Sequence, residues 1–187
     1  RDVTTDPGTS ASNPLTHQGR NAMKRTAIAL AVTTAAATVT LAAPTSPARA
    51  TGCSVSWGST AKAVTSTTHR TLTGVRAGRH ACYDRLVLDL DRGGEGYRVR
   101  YVSAVHDQGR GAVVPLRGGA FLQVDDQSQA YRRIAMPSVA GYTTFRQVAW
   151  GGSFEGYTTI GLGVRARLPF RAFRVDNHLV VDVAHRW

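Results

Sequence analysis

Tyr97-Arg98-Val99-Arg100-Tyr101-Val102 alternates without a break, so in an extended chain Tyr97, Val99 and Tyr101 share one face and Arg98 and Arg100 the other. One face belongs to a core and the other to water. Working outward from it, alternating or β-branched runs recur about every ten residues, the spacing of short strands joined by turns. They are 86–90, 120–124, 145–150, 158–164, 170–175 and 179–183. After Ala50 no window shows a convincing 3.6-residue apolar period. Gly93-Gly94, Gly109 with Gly111, Gly118-Gly119 and Gly151-Gly152 fall between the runs and read as hairpin corners. The pattern predicts an all-β chain with a single small β-sandwich or barrel domain.

Ahead of that domain the grammar changes. Met23 to Ala50 carries a positive start (Lys24, Arg25), an apolar stretch from Ala27 to Ala43, and Ala48-Arg49-Ala50. This is the three-part form of a helical, cleavable secretory signal peptide. Threonines dilute the apolar stretch, which falls short of the roughly 20 residues of a membrane-spanning helix, so no transmembrane anchor is expected. Residues 1–22 are polar and turn-rich and read as a disordered extension from a mis-assigned start. Residues 51–73, rich in Ser and Thr, read as a loop and edge segment tied down by a disulfide, and 74–187 as the β domain.

The charge lies in the part after the signal. Beyond Ala50 stand 18 basic and 10 acidic residues, a formal +8, and Lys62 is the only lysine among them. Arginine's planar fork grips carboxylate and phosphate in pairs of hydrogen bonds, so anionic partners are expected: wall polymers, acidic lipid surfaces or nucleic acid. Export disfavours nucleic acid. Cys53 and Cys82, an even count in an exported chain, predict a disulfide. The alternative at Cys53 is lipidation, because Ala50-Thr51-Gly52-Cys53 is a degenerate lipobox; that choice leaves Cys82 as a lone thiol.

Two internal echoes stand out. Gly141 to Thr144 (GYTT) recurs at Gly156 to Thr159, and DRLVLDL (Asp84 to Leu90) is echoed by NHLVVDV (Asn177 to Val183). The second pair predicts strand pairing or pseudo-symmetry within one sandwich. GRHACYDRLVLDL followed by YRVRYV, with PFRAFRVDNHLVVDVAH near the end, resembles the AMIN-type domains of bacterial envelope proteins, and more closely the AMIN-like domains of exported precursors. The CSVSWGS opening and TFRQVAWGGSFEG belong to the same resemblance, which covers the chain from about Cys53 onward. It implies a β-sandwich that binds cell-wall material, and in the better-known relatives one that localises a separate wall hydrolase.

Catalytic signatures are weak. Gly151 to Gly156 (GGSFEG) is not a nucleophile elbow. Asp89-Leu90-Asp91-Arg92-Gly93-Gly94 lacks the further oxygen donors of a calcium loop. His80, His106, His178 and His185 have no metal-ligand spacing. Glu155 with Asp125-Asp126 would serve glycan cleavage only if folding set two acids across a cleft. No catalytic residue, metal or cofactor is assigned. From Tyr142 to Phe173, however, Tyr142, Phe145, Trp150, Phe154, Tyr157, Phe170 and Phe173 interleave with arginines. About five of these seven aromatics are expected in the core. The predicted binding residues are Arg146, Phe154, Tyr157, Arg165 and Arg167, with Arg165 and Arg167 forming a comb on one strand face. The expected function is that of a secreted, non-catalytic monomer binding an anionic, peptidoglycan-like envelope polymer. One alternative is a module docking a wall enzyme or other exported partner; another is a small wall hydrolase.

Overall fold

The computed structural model describes residues 52–93 and 96–187, so the signal peptide expected at 23–50 and the extension expected at 1–22 lie outside the described residues. Eleven strands form in the described chain: β1 (Lys62–Val64), β2 (Leu72–Arg79), β3 (Tyr83–Leu90), β4 (Tyr97–Val102), β5 (Val105–His106), β6 (Val113–Val114), β7 (Ala120–Asp126), β8 (Phe145–Phe154), β9 (Tyr157–Val164), β10 (Phe170–Val175) and β11 (His178–Ala184). A five-stranded sheet β1-β4-β7-β9-β8 packs on a four-stranded sheet β10-β11-β3-β2, with β5 and β6 pairing as a small ribbon. Every strand pairing is antiparallel. Among the described residues no helix is long and apolar enough to cross a membrane.

The alternation in 97–102 emerges as predicted. Val99 is fully buried, and Tyr97 and Tyr101 pack against the core. Their hydroxyls donate to the carbonyls of Ala172 and Leu168 at 2.9 Å, which satisfies the polar end of each ring where it meets the other sheet. Leu122, Val124, Ile160 and Leu162 from one sheet meet Leu86, Leu88, Leu179 and Val181 from the other. Burying each such side chain contributes roughly 1.5–3 kcal/mol, and truncating one to alanine costs about 2–5 kcal/mol.

The DRLVLDL and NHLVVDV echo is a paired one. β3 and β11 are neighbours whose register sets His178 opposite Asp89 and Asp182 opposite Arg85. The second residue of each motif therefore faces the sixth of the other. Arg85 Nε lies 2.7 Å from Asp182, and His178 Nδ1 lies 2.8 Å from Asp89. An antiparallel pair of like motifs produces this reciprocity automatically, because reversing one strand exchanges its two ends.

Cys53 and Cys82 form the disulfide, which removes the lipidated alternative. The bond brings the segment before β1 onto the outer face of the four-stranded sheet. There Trp57 packs edge-on against Tyr83 at 5.6 Å, and Arg171 lies 4.4 Å from the Trp57 ring. The edge strand expected in 51–73 is β1, paired with β4. β2, by contrast, did not register in the sequence, because Gly74, Gly78 and a bulge between Leu72 and Gly74 interrupt its alternation. β2 opens at Leu72, already in the core.

Candidate functional site

Phe154 and Tyr157 face each other across the tip of the β8–β9 hairpin, joined by Glu155 and Gly156, whose φ values are 48° and 82°. Two consecutive positive φ values give the turn whose twist matches that of the flanking strands. The pair projects into solvent, with Phe154 49% and Tyr157 44% exposed. Gly151-Gly152 is not the corner predicted. It lies inside β8, which runs on past Trp150 to Phe154, and forms a bulge between Trp150 and Ser153. The glycines serve a crossing chain instead. Gln108 N donates to Gly151 O at 2.7 Å, and Gly152, at φ 93°, would set a Cβ 2.9 Å from Asp107 Oδ2.

Beside Tyr157 an open cleft of about 580 Å³ lies on the outer face of the five-stranded sheet. The stretch 63–66 walls one side and Gln108 another, while β4 and β7 lay Arg98, Arg100, Gln123 and Asp125 along it. Period-two alternation decides this: Leu122 and Val124 point to the core, so Gln123 and Asp125 point out. Asp125 organises the floor. It accepts from Arg100 Nη1 at 2.6 Å, from Gln123 Nε2 at 2.9 Å, and lies 2.7 Å from the Thr159 hydroxyl, itself 2.9 Å from Gln108 Oε1. Exposed Arg98 has no side-chain partner among the described residues. Amides, a carboxylate and a guanidinium fixed beside an exposed ring suit a ligand bearing hydroxyl, acetamido and carboxylate groups, the ring stacking and the polar groups orienting.

The predicted arginines lie elsewhere. β9 pairs Phe154 with Tyr157 at one end and Phe145 with Val164 at the other, a separation of about 23 Å at 3.3 Å per residue. Arg146 sits at the far end, its Nη1 donating to the carbonyls of Tyr142, Thr143 and Phe145. Arg165 and Arg167 make no comb on a strand, because β9 ends at Val164. Arg165 donates to His185 O, whereas Arg167 lies 4.9 Å from the Tyr101 ring and bonds Ser59. Of the seven aromatics, Phe145 and Phe170 are fully buried, Tyr142 and Trp150 pack against the core, and Phe173 stands on the outer face near Arg171.

Most of the acids are engaged within the structure, and the cleft beside Tyr157 is lined by one carboxylate, that of Asp125. Asp125 and Asp126, neighbours on β7, point to opposite faces: Asp126 is fully buried against Arg174, and burial pushes its carboxyl up. Glu155 is exposed at the hairpin tip. Asp84 accepts the backbone N–H groups of Thr144 and Phe145 at 2.6 and 3.0 Å, and His185 reaches it at 3.2 Å. Asp89 holds Arg76 and His178, while Asp91 accepts from Thr71 N, so this stretch is a strand end. His80 stacks on Tyr83 and His106 meets Gly111 O. No group of three His, Cys, Asp or Glu that could hold a metal occurs among the described residues.

The sequence reading named Tyr157 but missed Gln108, Gln123 and Gln127 around it. Gln123 and Asp125 were legible as the outward partners of Leu122 and Val124; Gln108 was not, since it arrives on a loop. A family model, the AMIN-like domain, matches residues 70–185. No curated protein and no solved structure matches.

Proposed function

Since the chain belongs to the AMIN-like domain family, we propose that it is an exported, non-catalytic domain that binds an anionic cell-envelope polymer of peptidoglycan type at the cleft beside Tyr157. The observation that carries this reading is the cleft floor, in which Asp125 is braced by Arg100, Gln123 and Thr159 next to an exposed Tyr157 and an exposed Arg98 with no side-chain partner among the described residues. An N-acetylated sugar offers the hydroxyl and acetamido groups that such amides recognise, and the stem-peptide carboxylates of the polymer suit Arg98. Carboxylates engaged by arginines and backbone N–H groups support binding over hydrolysis. The disulfide is in keeping with an oxidising, extracytoplasmic setting.

Purified sacculi test the proposal. The protein is expected to co-sediment with them and to remain bound at high salt better than a charge-matched control, since screening weakens purely ionic adhesion. Tyr157→Ala, at an exposed position whose folding a thermal melt checks, should lower retention about tenfold, equivalent to about 1.4 kcal/mol. Retention no better than the control, or unchanged in Tyr157→Ala, refutes the assignment of the cleft.

A further inference from the structure

A second surface, separate from the cleft, runs along the β8 edge of the five-stranded sheet. β8 is the terminal strand, paired with β9 alone; toward the hairpin tip its other side is met by Gln108 N at Gly151 O, and no strand among the described residues pairs with that side over the stretch from Arg146 to Trp150. Its ten residues span about 30 Å. Three hollows follow this edge end to end. The central one, about 690 Å³, is lined by the stretches 112–115 and 133–136 and by 147–150 of β8. It shares Arg110, Arg133 and Trp150 with a notch of about 400 Å³ toward the hairpin tip. It shares Met136, Gln147 and Val148 with another of about 460 Å³ toward Phe145.

The groove is polarised in chemistry. Its base is apolar, with Ile134 and Val148 buried and Met136 and Trp150 packed on the core. Its rim is cationic: Arg110, Arg117, Arg132, Arg133 and Arg146 line it and are exposed, against a single lining carboxylate, Asp107. Asp107 is itself occupied, accepting the N–H groups of Gly109 and Arg110. Arg132 and Arg133 have no side-chain partner among the described residues. A strand edge offers backbone N–H and C=O groups, which an extended polypeptide can match and a sugar chain cannot.

We propose that the groove along β8 takes an extended segment of alternating apolar and acidic residues from another exported protein, added to the sheet as a further strand with its carboxylates on the arginine rim. Added strands alternate their side chains, so the apolar set meets the base while the acidic set reaches the guanidiniums. This docking is independent of the sugar cleft beside Tyr157, which lies on the sheet's outer face.

The test uses the oxidised protein and a capped ten-residue peptide of alternating Glu and Val, with binding followed by calorimetry. Binding is expected, and Arg110→Glu combined with Arg133→Glu should weaken it at least tenfold while leaving sacculus retention unchanged. Both positions are exposed, and a thermal melt checks folding. Two N-methylated peptides provide a readout that needs no variant: methylating one alternate set of backbone amides should abolish binding and methylating the other should spare it, because alternate N–H groups point to opposite edges of a strand. Absence of binding overturns the proposal. So does equal binding by both methylated peptides, which would mean charge alone, or equal competition by polygalacturonate at matched carboxylate concentration, which would mean a polyanion site.

Discussion

Replacing Asp182 tests the electrostatic frame of the four-stranded sheet. Its carboxylate is fully buried and accepts Arg85 Nε at 2.7 Å, Arg85 Nη2 at 2.9 Å and Arg171 Nε at 2.8 Å. Breaking a buried ion pair by removing one partner costs about 3–5 kcal/mol when the other charge is left without water. Here the arginine side chains keep 26% and 39% of their exposure, so on losing Asp182 they turn to solvent and the cost falls to the lower end, about 3 kcal/mol. Arg85→Ala leaves Asp182 held by Arg171 and should cost about 1–2 kcal/mol, the scale of a charge-assisted hydrogen bond. Arg171→Ala should cost about 0.5–1 kcal/mol more than that, because it also forfeits the Trp57 face. The double arginine variant strands a buried carboxylate and must be worse than the sum of the singles. Urea unfolding with unchanged m-values measures all four. An additive or sub-additive double variant would refute the reasoning, since it would mean that Asp182 is solvated or neutral when its partners are gone.

Three further outcomes follow from the same structure. Cys53→Ser with Cys82→Ser frees a chain separated by 29 residues and should lower stability by about 3.5 kcal/mol in the chain-entropy account, read as the difference in urea midpoint; a matching loss is expected when the parent protein is unfolded under reductant. Gly152→Ala forces a side chain into positive φ against Asp107, a strain of about 1–3 kcal/mol, and should appear in amide exchange as loosening of the 107–111 turn before the rest of the sheet. Backbone N–H groups lower the carboxyl of Asp107, chiefly from Arg110, and that of Asp91, chiefly from Thr71. With folded values depressed, the unfolded chain takes up protons first, so their contribution is complete above the ordinary carboxylate value near 3.8 and vanishes as pH falls through the folded values; thermal melts from pH 6 to 2, about two units either side of that ordinary value, should show a shallower acid decline for Asp107→Asn.

The alternation of Tyr97 to Val102 was enough to give that strand its buried and wet faces, and the same period assigned 170–175 without error, because side-chain direction in a strand depends only on the residue's own parity. The kinship of β3 and β11 was visible as two copies of one motif, and an even count of two cysteines after Ala50 was enough to predict the pair of Cys53 with Cys82. Other features were decided only once the chain was folded. Gly151-Gly152 has the composition of a corner, yet the loop through Asp107 and Gln108 passes over β8 and requires a bulge there, with the turn displaced to Glu155 and Gly156. Asp125 and Asp126 look like a pair in the chain and stand on opposite faces of β7. The arginines of the β8 groove come from the stretch between β5 and β7, the segment after β7 and β8 itself. Strand periodicity is local, whereas a surface made by loops crossing a sheet depends on where distant segments pack, and no local spacing encodes that.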